Sequence, residues 1–118
     1  MLAKARADAS AARLLATHED QDDGIIGFHA QQACEKALKA VIAICGVDIP
    51  RVHDLEALVE LVAGVGLAIP DDLEGMDWLT AWGVTMRYEE ADAPLDREGA
   101  VSLAATALRW AQAVVESR

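Results

Sequence analysis

Apolar positions along this chain recur at helical spacing, and no segment alternates apolar and polar residues well enough to make a strand. Glycine and proline break the pattern at Gly24, Gly46 to Pro50, Gly64 to Pro70, and Ala93 to Pro94. The stretches between these breaks are helix-length. The spacing predicts a first helix from about Ala3 to His18 and a second from Ile25 to about Cys45, with Gly46 where a left-handed C-terminal cap is needed. It predicts a short third helix capped by Asp54 and running into Val62. A fourth opens at Pro70 with Asp71 and Glu74 at capping-box spacing and continues through Trp78 and Trp82 toward Met86. The last runs from about Asp96 almost to Arg118. The expected fold is all-α, an up-and-down bundle of four longer helices and one short one.

Composition narrows this picture. With 118 residues the chain has room for one core, so a single domain over residues 1–118 is expected. Its 24 alanines and 13 leucines, against three prolines, suit closely packed helices rather than a disordered chain. Twenty acidic side chains against ten basic ones leave a net charge of −10, a field that repels phosphate backbones and argues against general nucleic-acid binding. Cys34 and Cys45, on one helix, lie roughly 16 Å apart at about 1.5 Å rise per residue and cannot bridge. His18, His29 and His53 are scattered without metal-ligand spacing. No cofactor or metal is expected. Without a signal peptide or a long apolar run, the expectation is a reduced, soluble, cytoplasmic protein with no membrane association.

The second helix is patterned on two sides. Ile26, Ala30, Ala33, Ala37, Val41 and Ile44 project onto one stripe, the expected domain core. Phe28, Gln31, Glu35, Lys39 and Ile42 gather roughly opposite, mixing bulky apolar groups with hydrogen-bonding ones. That second face reads either as ordinary surface or as a second interface, with a copy of this chain or with a partner.

The segment Phe28-His29-Ala30-Gln31-Gln32-Ala33-Cys34-Glu35-Lys36-Ala37-Leu38-Lys39-Ala40 resembles the signature helix of the HEPN domain family. His53-Asp54-Leu55 with Leu58 is similar to the family's short segment after helix two, and Thr85-Met86-Arg87-Tyr88 to the Arg-Tyr closing its fourth helix. The resemblance implies a small helical bundle that dimerises. Such domains are often encoded beside a minimal nucleotidyltransferase, and in several branches they act as toxin ribonucleases. Ribonuclease members follow the arginine, after four to six residues, with a histidine. Here the positions reached from Arg87 are Asp92, Ala93 and Pro94, so the proton carrier is missing. Arg13 and His18 match that spacing, but in the wrong helix and pointing about 140° apart.

The resemblance further implies an anion pocket in which Arg87 and Tyr88 act with Lys36 or Lys39. The residues alone equally allow a cation at a helix C-terminus and local ion pairs with Glu35. Trp78, Trp82 and Met86, at one-turn spacing, read as a packing face or a base-stacking platform. His53, next to a helix cap, reads as structural, and His29 has no identifiable partner. The leading expectation is a non-catalytic homodimeric subunit that pairs with a nucleotidyltransferase or binds a nucleotide, in a toxin–antitoxin-like system. The alternatives are a metal-independent ribonuclease toxin using Arg87 and a helical interaction module without ligand.

Overall fold

The computed structural model describes residues 1–83 and 94–118. Among these residues there are four α-helices, α1 (Leu2–Ala16), α2 (Asp23–Ile44), α3 (Leu55–Gly64) and α4 (Arg97–Glu116), with two 3-10 segments, Asp71–Leu73 and Met76–Gly83, between α3 and α4. The described residues include no strand. The chain is all-helical, and local signals set its helix ends. The Asp22 carboxylate accepts from the Gly24 amide, Asp54 from Glu56 at 3.0 Å and Asp96 from Gly99 at 2.9 Å. Gly46 takes a φ of +79° just past α2, a conformation that a Cβ would penalise.

α2 is the central element and is covered on both sides. On one side it meets α1 and α4, which also touch each other. This seam is built from small residues: Ala5 and Ala12 of α1, Ala30, Ala33 and Ala37 of α2, and Ala100, Ala104, Ala107 and Ala111 of α4 are all fully buried. Alanine lets helix axes approach closely with little side-chain entropy to lose. On the other side lie α3 and the second 3-10 segment, and there the filling is bulky: Leu38, Ile42, Leu55, Leu58, Leu79 and Met76 are buried. Ile44, expected in the core stripe, is 41% exposed, although Val41 and Ile42 of the same last turn of α2 are fully buried.

One side chain fixes the relative directions of the helices. Arg97, the first residue of α4, donates to Asp23 at 2.7 Å and to the carbonyls of His18 and Gln21 just past α1. The other oxygen of Asp23 accepts from the Leu95 amide. α2 and α4 therefore start at the same end, and α1 runs antiparallel to both.

The expected fourth helix is the main departure. Gly75, at φ +78°, interrupts it after Leu73, and the Asp71 and Glu74 capping box is not formed, with no side-chain bond capping the first 3-10 segment. Residues Met76–Gly83 then wind at three per turn, which brings Met76, Leu79 and Trp82 onto the buried side. Trp78, paired with Trp82 at α-helical spacing, is rotated out and is 40% exposed. Met86 lies outside the described residues.

Candidate functional site

The face of α2 that reads from sequence as surface or interface is largely covered by the chain itself. Gln31 is fully buried, Glu35 is 4% and Lys39 8% exposed, and Ile42 sits in the core. Four of the five residues of that face are thus already buried within one chain, and Phe28 is the member left accessible. Residues 31, 35, 38 and 42 form a second inward stripe, and the polar groups among them satisfy one another. Phe28 stays half-buried, its ring edge-on to His29 at 5.8 Å.

Glu35 is the hub of this buried network. One carboxylate oxygen accepts from Gln31 at 3.1 Å and lies 3.0 Å from His53 Nδ1; the other accepts from Lys39 Nζ at 3.1 Å. Gln31 also donates to the His53 carbonyl and accepts from Gln32 at 2.8 Å. The network thus ties α2 to the segment leading into α3. Gly83 closes it from a third side, since a Cβ there would fall on the Gln31 amide. No buried side-chain nitrogen or oxygen among the described residues is left without a partner. Buried polar groups that are fully paired specify one packing arrangement, and each becomes costly once its partner is removed.

Burial pushes the Glu35 carboxyl up, but donation from Gln31, Lys39 and His53, with the Lys39 charge, outweighs it and holds the group below its ordinary value. A carboxylate whose pKa is lower folded than unfolded adds stability above the unfolded value, about 4.3, and that stability is lost as pH falls through the folded value. Denaturation midpoints should therefore fall more steeply for the native chain than for Glu35→Gln as the pH drops below about 4.3, the unfolded value. Equal slopes would remove Glu35 from the acid limb.

A second cluster joins α1 to α2. Asp8 lies 2.9 Å from His29 Nδ1 with one oxygen and accepts from Lys36 Nζ at 2.5 Å with the other. His29 thus has a partner, which the sequence hid because it is 21 residues away. The two lysines expected to bind an anion are each matched by a carboxylate of their own chain, Lys36 by Asp8 and Lys39 by Glu35. Arg87 and Tyr88, the other expected members of that pocket, lie outside the described residues, as do Asp92 and Ala93. His53 keeps its ring 76% exposed while its Nδ1 faces Glu35, so it joins the network without being enclosed by it. Cys34 and Cys45 are free, and burial pushes the Cys34 thiol up to about 12, which makes it a packing group at neutral pH. Among the described residues no group of three or more His, Cys, Asp or Glu side chains is placed to hold a metal ion, and no helix is long and apolar enough to cross a membrane.

Comparison with known proteins identifies a family. The family model described as HEPN domain covers residues 1–117. No curated protein and no solved structure matches.

Proposed function

The chain belongs to the HEPN domain family, and from that membership we propose that it is a single-domain, non-catalytic HEPN subunit that dimerises and pairs with a small nucleotidyltransferase in a cytoplasmic, toxin–antitoxin-like system. The observation that carries this reading is the engagement of the α2 cations. Lys36 and Lys39 serve Asp8 and Glu35 inside the fold, which leaves them poorly suited to hold a phosphate. This favours the protein partner over the nucleotide as ligand. Absence of a histidine at Asp92, Ala93 or Pro94, the positions reached from Arg87 across four to six intervening residues, argues in the same direction, because a positioned proton carrier is worth about a hundredfold to ten-thousandfold in rate.

Charge supports the choice of partner. A chain at −10 is steered toward basic surfaces, and enzymes that handle nucleotides present such surfaces around their phosphate sites. For the dimer, Phe28 remains the accessible member of the face first assigned to it. Ile25, three residues earlier on the same side of α2, is 43% exposed.

Co-expression with a basic minimal nucleotidyltransferase, followed by capture and light scattering, tests the proposal. The expected result is a stable complex built on a dimer of this chain, whose association slows as salt rises beyond about 0.15 M. Phe28→Asp should return the free protein to a 12.6 kDa monomer. Purified protein should cleave structured RNA no faster than its Arg87→Ala variant. Cleavage lost in that variant, or a chain that stays monomeric and unpaired, would overturn the reading.

A further inference from the structure

α1 and α4 run antiparallel, and between them lies an open groove of about 320 Å³ whose described lining residues all belong to these two helices. Its floor is apolar and shallow, formed by side chains such as Ala9, Ala105 and Leu108, and its rim carries Arg6, Arg13 and Arg109. This chain has twice as many acidic as basic side chains, yet among the described residues the groove lining holds three arginines and no carboxylate. All three arginines are exposed, and none has an ion pair among the described residues; the single hydrogen bond recorded for them runs from Arg109 to Thr106 at 3.3 Å. By contrast, Lys36, Lys39 and Arg97 all face carboxylates.

We propose that the α1–α4 groove is the docking site for an acidic amphipathic helix of a partner protein. Small residues on the floor let a third helix approach closely, as they do in the seam beneath. Arg6 and Arg13 are seven residues apart, about 10 Å along α1 at about 1.5 Å per residue. Carboxylates seven residues apart on a docked helix repeat at the same spacing, with apolar side chains between them on the floor. Guanidinium groups suit this role because they bind carboxylates in a fixed, bidentate geometry. RNA is disfavoured on two counts: its backbone leaves the apolar floor unused, and its charge density meets the strongest repulsion from the −10 field. The proposal stands apart from the nucleotidyltransferase reading, which uses the chain's acidic surface.

The probe is a synthetic helical peptide of about fifteen residues, with leucines at helical spacing and glutamates seven apart, titrated into the isotopically labelled full chain and followed by amide NMR. Saturable shifts confined to the groove, around Ala9 and Ala105, are expected. Affinity should fall about tenfold in Arg6→Gln/Arg13→Gln and stay unchanged in Arg51→Gln/Arg118→Gln, which changes net charge equally at exposed positions outside the groove. Circular dichroism of both variants should match the parent. The proposal is overturned by no saturable shift, by shifts elsewhere on the chain, by equal weakening in both double variants, or by tighter binding of an oligouridylate of similar length. It also fails if the groove proves to be a contact between two copies, seen as a dimer that Arg6→Gln/Arg13→Gln splits without peptide.

Discussion

Replacing Glu35 with alanine is expected to destabilise the fold by about 3–5 kcal/mol, the cost of removing one partner from a buried ion pair. The loss has three sources. Lys39, 8% exposed, would keep its charge without the carboxylate 3.1 Å away. Gln31, fully buried, would lose an acceptor it cannot replace with water. His53 would lose the contact that ties the segment before α3 to α2. Urea denaturation monitored by circular dichroism measures the loss. Lys39→Met in the Glu35→Ala background should recover part of it, because the stranded charge is then gone and a flexible apolar chain fills its place. If the double variant is no more stable than Glu35→Ala, the damage comes from packing and the charge argument fails.

Trp82→Ala should cost a similar amount, about 3–5 kcal/mol, by deleting a large ring from the core and leaving a cavity. The ring lies over Gly27 of α2 so closely that a Cβ there would sit 2.7 Å from its Cε3 atom. Gly27→Val should therefore destabilise as well, by about 1–3 kcal/mol, through overpacking. Trp78→Ala is the control. At three residues per turn Trp78 is turned toward solvent, and its removal should change stability by less than about 1 kcal/mol. An α-helical register through this segment would put both tryptophans on one side and make the two substitutions comparably damaging. Equal losses would thus contradict the 3-10 winding.

The boundary between what the sequence made legible and what it hid runs through single helices. In α2 the stripe from Ile26 to Val41 reads correctly as core, since a 3.6-residue period is a local property. Its opposite face reads incorrectly. Glutamine, glutamate and lysine ordinarily mark a solvated surface, and only partners far along the chain make their burial tolerable. His53 is 18 residues from Glu35, and its carbonyl 22 from Gln31. For the tryptophans the assumed period was wrong: Met76–Gly83 winds at three residues per turn, so Trp82 is buried and Trp78 is not.

By itself the sequence determined that the chain is helical, where most helices begin and end, which family it belongs to, and that its long-range field is acidic. Each depends on residues within about a turn of one another or on composition: Asp54 and Asp96 cap their own helices, Gly46 ends one, and summed charge needs no coordinates. Tertiary structure alone decided that α2 has two inner faces, that Lys36 answers Asp8 across 28 residues, and that Arg6, Arg13 and Arg109 share one groove. Those outcomes depend on which helix lies against which. Packing of small and large side chains over distant parts of the chain makes that choice, and no window of sequence contains both halves of it.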